Sequence, residues 1–491
     1  MFEAAEVGSR VSKADYAREA PRIRTELLQT QKRLATSPLS LVVLVSGVEG
    51  AGKGETVNLL LEWMDARGIE VHTLWDSSDE ERAQPPMWRF WRVLPPTGRT
   101  AVLFGSWYTA PVIDRVFGRI DDAGLDQALD RIVEFERMLA AEGVLVVKLW
   151  LHLAKDVQRR RLRALEDDPD QSWRVTKMDW KFFRHYNKLR RISERVLRRT
   201  GTGETPWTII EGADARYRSL TVARSLCDAL RQRIDAIAVR PVRAQAADRP
   251  VPKPVNRLGQ IDLGAKLSDR EYERQLVKLT GRINLLCRRL RKERRSMLLV
   301  FEGPDAAGKG GAIRRLTAAI DARLYRVQGV AAPTDEEHAR PYLWRFWRGL
   351  PRVGHVTIYD RSWYGRVLVE RIEGFCDPQD WQRAYGEINA FEEQLTEFGM
   401  IVIKFWLAIS SEEQLRRFKS REITPYKQYK LTEDDWRNRE KWDAYTAAAC
   451  DMIERTSTQA SPWVLVSAED KNHARIAVLK AVRRALDTAV G

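Results

Sequence analysis

The stretch Gly303-Pro-Asp-Ala-Ala-Gly-Lys-Gly-Gly311 decides the fold of this chain, because a second copy occurs earlier as Gly47-Val-Glu-Gly-Ala-Gly-Lys-Gly-Glu55. The two copies are 256 residues apart. The same offset, applied without gaps, places Trp344-Arg-Phe-Trp-Arg348 on Trp88-Arg-Phe-Trp-Arg92. The chain is therefore an internal duplication, and we expect its two halves to share one fold.

Two neighbouring positions break the symmetry of the repeat. Asp360 and Arg361 of the second half stand opposite Phe104 and Gly105 of the first half. A carboxylate can bind a metal ion and a guanidinium can bind a phosphate, whereas an apolar ring and a glycine side chain can do neither. We therefore expect only the second half to keep the full chemistry.

Length and strand pattern predict the same α/β architecture in each half. At 491 residues the chain can form two domains that each bury a full core. Ten short, continuously apolar runs predict strands that are covered on both faces, with segments between them long enough for crossover helices. Each half is thus predicted to be a mostly parallel, doubly wound sheet. The predicted strands are 41–46, 71–74, 101–104, 144–151, 207–210, 297–301, 324–330, 356–359, 401–407 and 463–466.

A proline-rich stretch marks the boundary between the halves. Residues 239–256 contain four prolines, which stiffen the chain and disfavour regular structure. We interpret this stretch as a linker between a first domain at 1–238 and a second domain at 257–491.

Composition limits the partner and the compartment. A formal charge of +15 implies an anionic partner, which could be nucleic acid, an acidic membrane or a phosphorylated substrate. The four cysteines are scattered and form no metal-ligand pattern, which favours a reducing compartment. The first residues lack the charged start and apolar run of a signal peptide, and the longest apolar stretches have the length of strands. We expect a cytoplasmic protein with no membrane partner.

The second glycine-rich stretch is predicted to bind phosphate. It lies between a predicted strand and a helical stretch, which is the context that a P-loop, or Walker A, motif requires. Backbone N–H groups of such a loop approach the phosphate, the helix contributes its positive end, and Lys309 adds a mobile charge. The predicted phosphate-binding residues are Gly303, Ala306, Ala307, Gly308, Lys309 and Gly310.

The metal site is predicted to differ from that of an ordinary P-loop. The Ser or Thr that usually follows the lysine and holds Mg2+ is replaced by Gly310, which has no side-chain ligand. Asp305 lies inside the loop, and Asp360 follows the predicted strand 356–359, where a Walker B aspartate would lie. We predict that Asp305 and Asp360 hold Mg2+ between phosphate oxygens.

Basic residues near Asp360 and in a later insert are candidates for contacts with an anionic substrate. Phosphoryl transfer requires positioning and neutralisation of charge rather than a protein nucleophile, so arginines beside a metal site fit it. Those that follow Asp360 are Arg361, Arg366 and Arg371. An insert between the last two predicted strands could close over the substrate and exclude water. Its candidate residues are Arg416, Arg417, Arg421, Lys427 and Lys430.

An aromatic run lies between the two motifs of the second half. Trp344 and Trp347 are three residues apart, on one face of a helix. We favour packing in the core over stacking on a nucleobase as the function of these rings.

Together, Gly303-Pro-Asp-Ala-Ala-Gly-Lys-Gly, Tyr342-Leu-Trp-Arg-Phe-Trp-Arg348 and Asp360-Arg-Ser-Trp-Tyr-Gly-Arg-Val-Leu-Val-Glu-Arg371 resemble the second polyphosphate kinase family, over nearly the whole chain. The closest resemblance is to its tandem-domain class, the polyphosphate:AMP phosphotransferases. It implies P-loop kinase domains with a helical lid, Mg2+ dependence, and transfer of a terminal polyphosphate phosphoryl group to AMP to give ADP. By this resemblance Lys309 belongs to the phosphate loop, and the basic insert is the lid.

The first half departs from the family pattern at several matched positions. Lys53 and the loop glycines remain, but the acidic and basic residues that the resemblance assigns to the site are mostly replaced. The replacements are Asp305 by Glu49, Asp360 by Phe104, Arg361 by Gly105, Arg366 by Ala110, Arg421 by Leu165 and Lys427 by Gln171. This half either retains some phosphate binding or serves only as a packing partner, and the sequence leaves both readings open.

Two other functions compete with the polyphosphate reaction. An ATP-dependent kinase of a nucleotide or another small metabolite would use the same loop. A basic nucleic-acid-binding protein is the alternative without catalysis, but the combination of Asp305, Asp360 and Lys309 argues against it and against nucleic acid as the partner. The sequence does not decide whether the P-loop holds the donor or the acceptor, or whether AMP is preferred over GMP or ADP. A homo-oligomer stays among the possible assemblies.

Overall fold

The computed structural model describes residues 1–238 and 256–491. These residues form two compact units. Unit 1 contains most of the first half and also residues 334–344, whereas unit 2 contains most of the second half and also residues 78–88. The predicted linker 239–256 lies outside the described residues, apart from Asn256.

The first half contains a five-stranded parallel sheet with the strand order β2-β3-β1-β4-β5. Its strands are β1 (Ser40–Gly47), β2 (Ile69–Thr73), β3 (Thr100–Phe104), β4 (Val144–His152) and β5 (Trp207–Glu211). Its helices are α1 (Lys13–Ala35), α2 (Lys53–Trp63), α3 (Asp79–Arg82), α4 (Trp88–Arg92), α5 (Thr109–Val116), α6 (Asp122–Ala141), α7 (Lys155–Asp167), α8 (Lys177–Arg184), α9 (Tyr186–Thr200) and α10 (Ala215–Ala238).

The second half repeats this topology, with a parallel sheet in the order β10-β9-β6-β8-β7. Its strands are β6 (Met297–Glu302), β7 (Tyr325–Gly329), β8 (Val356–Asp360), β9 (Ile401–Ala408) and β10 (Trp463–Ser467). Its helices are α11 (Asp269–Lys292), α12 (Lys309–Thr317), α13 (Asp335–His338), α14 (Trp344–Arg348), α15 (Val369–Glu373), α16 (Pro378–Glu397), α17 (Ser411–Glu422), α18 (Glu433–Glu440), α19 (Trp442–Thr456) and α20 (Lys471–Val490). Within the two described ranges, none of the helices combines the length and the apolar character that a membrane span requires.

The doubly wound architecture predicted from the sequence is confirmed. Every predicted strand is present, with its ends shifted by at most two residues. The central strand of each sheet, β1 or β6, is buried over most of its length because helices cover both faces of the sheet. The ends of β6 and β8 place two acidic residues, Glu302 and Asp360, at the carboxyl edge of the sheet, where ligands bind in folds of this kind.

Aromatic rings form a large part of the core of unit 2. Phe301 of β6 stacks on Phe405 of β9, with ring centroids 4.9 Å apart. Trp347 is almost fully buried and packs edge-on against Phe391 at 5.1 Å. Trp344, which belongs to unit 1, is also buried. The expectation that this aromatic run belongs to the core is confirmed.

A buried lysine connects β9 to three other segments of the second half. Lys404 Nζ donates hydrogen bonds to Glu392 Oε2 of α16 at 2.7 Å and to the carbonyl oxygen of Thr456 at 2.6 Å. It also donates to the hydroxyl of Tyr364, just after β8, at 3.0 Å. The first half repeats these contacts with matching residues. They are Lys148, Glu136, Thr200 and Tyr108.

Candidate functional site

A glycine-rich loop joins β6 to α12 in unit 2. Gly303 has a φ of 140°, and a Cβ at this position would lie 2.5 Å from the carbonyl oxygen of Leu407, so the loop requires glycine there. Gly308 caps α12 in the left-handed conformation, with a φ of 105°. Lys309 opens the helix, and its Nζ donates to the carbonyl oxygens of Gly303 at 2.7 Å and Pro304 at 3.1 Å. The loop therefore has the strand, loop and helix geometry of an anion site.

Asp305 is the point at which the loop meets three other segments. Its Oδ1 accepts a hydrogen bond from Arg361 at 2.6 Å, and its Oδ2 accepts one from Asn438 of α18 at 2.9 Å. The side-chain amide of Gln414 donates to its carbonyl oxygen at 3.1 Å. Burial opposes the charged form of Asp305, but Lys309, Arg361 and these hydrogen bonds outweigh it and lower its pKa. The carboxylate is thus held ionised between a guanidinium and an amide.

Glu302 belongs to the same site, although the sequence analysis did not single it out. It is 5% exposed, and its Oε1 accepts a hydrogen bond from the Ser362 hydroxyl at 2.8 Å. Burial raises the pKa of Glu302, against the opposing effects of Ser362 and Lys309. Burial likewise lowers the pKa of Lys309, while Asp305 and Asp360 raise it. The repeat contains one signal for Glu302, because it pairs this acidic residue with the uncharged Ser46 of the first half, as it pairs Asp360 with Phe104.

Two residues of the site have a backbone conformation that L-residues rarely adopt. Ala306 has a φ of 63° and Arg361 a φ of 65°. The matching residues of the first half are Gly50 and Gly105, which adopt positive φ without a steric penalty. Unit 2 therefore has side chains at two strained backbone positions where unit 1 has glycine. Backbone strain of this kind is common at functional sites.

Two of the predicted substrate-binding arginines form internal ion pairs. Arg366 lies 2.8 Å from Glu370. Arg371 lies 2.8 Å from Asp451 and also donates to the hydroxyl of Tyr385 at 3.0 Å. The structure thus brings Arg361 to the loop, whereas Arg366 and Arg371 contact neighbouring helices.

The insert predicted to be a lid begins with α17, whose arginines differ in their surroundings. Arg416 is exposed and forms an ion pair with Glu413 at 2.6 Å. Arg417 is buried and donates to the carbonyl oxygens of Ala306 at 2.9 Å and Ala307 at 3.1 Å. The guanidinium of Arg417 therefore stabilises the backbone of the phosphate loop through its carbonyl oxygens.

The rest of the insert is also helical. A 3-10 helix at Pro425–Lys430 joins α17 to α18, and Arg421 lies over the ring of Phe418 at 5.9 Å. The side chains of Lys427 and Lys430 lie outside the described residues. Because Asn438 of α18 binds Asp305, the insert contacts the loop directly.

A cavity of about 520 Å3 opens beside the loop. Gly303, Asp305 and Arg361 form one side of it, and α19 forms another. The end of β9 and residues from the segment 256–263 complete the wall. In the part of the chain that the structure describes, no cluster of three or more His, Cys, Asp or Glu residues suits a metal ion.

In the matching loop of unit 1, the lysine forms an ion pair with a carboxylate of the same loop. Lys53 Nζ donates to Glu49 Oε1 at 2.8 Å and to the carbonyl oxygen of Gly47 at 3.1 Å. In unit 2 the matching lysine, Lys309, donates to two backbone carbonyls.

A carboxylate in the first turn of α2 is surrounded by arginines. Glu55 contacts Arg161 at 3.1 Å, Arg174 at 2.7 Å, and also Arg218. Burial opposes its charged form, but these arginines lower the pKa of Glu55 to about 2. A Cβ added at Gly52 would lie 2.3 Å from the guanidinium of Arg218, so the arginine fills the space at the helix N-terminus. Unit 1 thus holds a side-chain anion, ringed by three arginines, in the first turn of the helix that follows its loop.

Comparison with known proteins identifies the family of the chain. The profile described as polyphosphate kinase 2 matches residues 10–236 and 266–490. A polyphosphate:AMP phosphotransferase of Pseudomonas aeruginosa is 52% identical and covers 100% of this chain and 99% of that protein. One from Acinetobacter johnsonii is 39% identical over 91% of each chain. A crystal structure from Pseudomonas aeruginosa, assigned as a polyphosphate kinase 2, superimposes with a TM-score of 0.90 at 50% identity and covers 100% of this chain and 99% of that chain. The chain belongs to the polyphosphate kinase 2 family.

Proposed function

We propose that the protein transfers the terminal phosphoryl group of inorganic polyphosphate to AMP, giving ADP, and that unit 2 performs the reaction. Relatives named polyphosphate:AMP phosphotransferase that match over their full length support the reaction. The observation that carries the assignment to unit 2 is the meeting of Asp305, Lys309 and Arg361 at one loop. In the first half, Phe104 and Gly105 replace the acidic and basic residues at the end of the matching strand.

The residues of this loop suit phosphoryl transfer between two phosphates. The bond from the terminal phosphorus to the bridging oxygen breaks, and a bond to an oxygen of the AMP phosphate forms. The shortened chain leaves as an anion, and no protein nucleophile is needed. Backbone N–H groups of the loop and Lys309 would hold phosphate oxygens, and Arg361 would stabilise the charge on the transferring group. Asp305 orients Arg361 through their 2.6 Å hydrogen bond.

Magnesium is part of the proposal, and the acidic residues fit it. Mg2+ takes oxygen ligands, commonly one or two carboxylates together with substrate phosphates, and so two aspartates suffice. Asp360 and Asp305 would be its ligands. Each oxygen of Asp305 accepts one hydrogen bond, from Arg361 or from Asn438, and keeps a second lone pair for the ion. When bound, the ion would neutralise charge on phosphate oxygens.

Asp305→Asn tests this metal assignment. The amide oxygen is a weaker ligand than a carboxylate oxygen, so the variant should need more Mg2+ for half-maximal rate and should also react more slowly. The rate is measured across a series of Mg2+ concentrations. If the variant and the parent respond to Mg2+ alike, Asp305 acts only through Arg361 and Asn438.

The donor is identified by one assay. Purified protein is incubated with AMP, Mg2+ and either polyphosphate or ATP, and the nucleotide products are separated by chromatography. We expect ADP to form with polyphosphate. Faster phosphorylation of AMP with ATP would instead identify an ATP-dependent kinase and reject the proposal.

The proposed partners are therefore polyphosphate and AMP, with neither nucleic acid nor a membrane. We propose the cytoplasm as the location, because the free thiols of all four cysteines suit a reducing compartment. A homo-oligomer stays a prediction, to be checked by light scattering of the purified protein.

A further inference from the structure

A carboxylate at the end of α15 contacts the place where α18 and α19 meet. Glu373 is the last residue of α15, and its side chain is 5% exposed. Its Oε2 accepts a hydrogen bond from Lys441 Nζ at 2.8 Å and lies 3.3 Å from Arg437 Nε. Lys441 lies between the two helices, and Arg437 lies in the last turn of α18. Glu373 thus fixes the position of both helices by its charge.

A series of hydrogen bonds leads from Glu373 to the phosphate loop. The hydroxyl of Tyr445 lies 3.3 Å from Glu373 Oε1 and 3.1 Å from Asn438 Oδ1, and it has one proton to donate between them. Burial and the charge of Glu373 raise the pKa of Tyr445, so the hydroxyl keeps this proton. Asn438 Nδ2 donates to Asp305 Oδ2 at 2.9 Å, and Asp305 Oδ1 accepts from Arg361 at 2.6 Å.

The direction of these contacts fixes the amide of Asn438. A carboxylate only accepts hydrogen bonds, so the NH2 group of Asn438 has to face Asp305. Its amide oxygen then faces the Tyr445 hydroxyl, which can donate to it. The tyrosine therefore favours the one orientation of the amide that binds Asp305.

The first half has apolar side chains at the matching positions. The ring centroids of Phe117 and Phe182 lie 5.6 Å apart, and Lys181 Nζ lies 4.5 Å from the centroid of Phe117. The backbone at the first of these positions is alike in both halves, because Gly118 and Gly374 follow it with φ values of 75° and 72°. The matched pairs are Glu373 with Phe117, Asn438 with Phe182, Tyr445 with Leu189, and Arg437 with Lys181.

This difference shows that the polar contacts are not needed for the fold. Burying a carboxylate costs free energy even when it is paired, and an apolar contact of similar volume is often at least as stable. Unit 1 has the apolar contact, and it has glycine at position 105, where unit 2 has Arg361. The polar contacts thus occur in the half in which Asp305 has an arginine to hold.

We propose that Glu373 is a positioning residue for phosphoryl transfer, which keeps Asn438 on Asp305. It thereby holds the carboxylate of Asp305 beside Arg361. Glu373 is not among the residues that line the cavity, so it acts through its neighbours rather than by contact with substrate. The proposal rests on the proposed function, in which Arg361 and the phosphate loop act on the transferring group.

A double-mutant cycle on kcat tests the proposal. Glu373→Gln removes the charge that holds α18 and α19, and Asn438→Ala removes the contact with Asp305. We expect each to lower kcat by at least about tenfold, since a small misplacement of reacting groups can cost up to roughly a hundredfold. Glu373→Gln should leave KM for AMP and for polyphosphate within about threefold, as expected when an interaction of the transition state alone is lost.

The double variant distinguishes positioning from a separate structural effect. If Glu373 acts through Asn438, both changes together should lower kcat by no more than about twice the larger single loss, because coupled residues are not additive. Losses that multiply, or an unchanged kcat in folded Glu373→Gln, would overturn the proposal. Glu373→Phe, which introduces the residue of unit 1, repeats the cycle if the glutamine variant does not fold. Phe117→Leu in unit 1 is the matched control and should leave kcat unchanged.

Hydrogen exchange tests the positioning without turnover. The amides of Ala307 and Gly311 donate to carbonyl oxygens within the loop, so their exchange with deuterium reports its opening. We expect Glu373→Gln to accelerate exchange in the peptide 303–311 by at least about threefold, because local opening becomes easier. The matching peptide 47–55 of unit 1 should be unchanged. Equal exchange of the loop in the parent and a folded variant would overturn the proposal. If exchange rises as expected but AMP is not phosphorylated by polyphosphate, Glu373 still positions the loop and the proposed reaction is wrong.

Discussion

At the scale of single residues, Lys309 and Lys53 occupy the same position in two copies of one loop but have different neighbours. Lys53 is paired with the carboxylate of Glu49, whereas Lys309 contacts two carbonyl oxygens and lies close to Asp305 and Asp360. A lysine held by carbonyls can move to a phosphate at little electrostatic cost, whereas a lysine in an ion pair must first give up its partner.

Removing these charges should therefore have unequal effects. Lys309→Ala and Asp360→Asn should each lower kcat by at least about a hundredfold, which is typical of the loss of one main electrostatic stabiliser. Lys53→Ala should change kcat little. The measurement is the initial rate of ADP formation from AMP and polyphosphate at saturating substrate. Similar losses for Lys309→Ala and Lys53→Ala would contradict the assignment of activity to unit 2.

Glu302 should show a conflict between stability and activity. Burial raises the pKa of Glu302 in the native state above its value in the unfolded chain. Between these two pKa values the native state holds a proton that the unfolded chain has lost, so the free energy of unfolding falls as the pH rises through that interval. Glu302→Gln keeps an acceptor for the Ser362 hydroxyl but removes the charge. We expect its unfolding temperature to exceed that of the parent at pH 8, with a smaller difference at pH 4.

The same variant should lose turnover, since Lys309 and Arg361 lose a nearby counter-charge. We expect kcat to fall by at least about tenfold, as for other electrostatic contributions to a transition state. A variant that is less stable than the parent at pH 8, or one with unchanged turnover, would show that Glu302 serves only to hold Ser362.

At the scale of elements, the strands and the phosphate loop were predictable because their signals are local. A continuous apolar run predicts a strand that is buried on both faces, and the glycines and lysine of the loop lie within a few residues of one another. Asn438 and Gln414 were not predictable, because they reach Asp305 from more than 100 positions away in the chain. The same holds for Phe2, whose burial depends on His152.

The arginines illustrate this limit. A spacing of five residues after Asp360 suggested a shared function for Arg361, Arg366 and Arg371. The chain turns into a 3-10 helix at Trp363–Val367 and then into α15, so Arg371 faces Asp451 of α19. A sequence pattern shows which charges are present, whereas the packing of helices decides where they point.

The buried lysine–glutamate ion pair should stabilise the fold in each of the two halves. Glu392→Gln leaves the ammonium of Lys404 without its counter-charge, and breaking a buried pair costs roughly 3–5 kcal/mol. Glu136→Gln should have a similar effect through Lys148, because the contacts are the same. Urea unfolding followed by circular dichroism measures both. Glu393→Gln, at the exposed neighbouring position, is the control, and an equal effect of this control would contradict the expectation.

At the scale of the whole molecule, the charge of +15 favours long anionic donors. A long polyphosphate can contact several basic residues at once, whereas a short oligophosphate reaches only those near the loop. We expect apparent KM per chain to be lower for long than for short polyphosphate. The difference should shrink with added salt, since exposed charges are screened over about 10 Å at 0.1 M ionic strength. KM is measured for both lengths at two salt concentrations, and equal values for long and short chains would contradict this expectation.

Glu55 and its arginines have a consequence for how each unit responds to the supply of substrate. A ligand that binds only the folded state adds RT ln(1 + [L]/Kd) to stability, about 2.7 kcal/mol when it is present at a hundred times its Kd. Unit 2 would gain this energy from polyphosphate and lose it when polyphosphate is scarce. In unit 1 the anion that pairs with the three arginines is the Glu55 side chain of the same molecule, so it is present at a fixed effective concentration and cannot be diluted. This contribution to the stability of unit 1 should therefore be the same whether cells are rich or poor in polyphosphate.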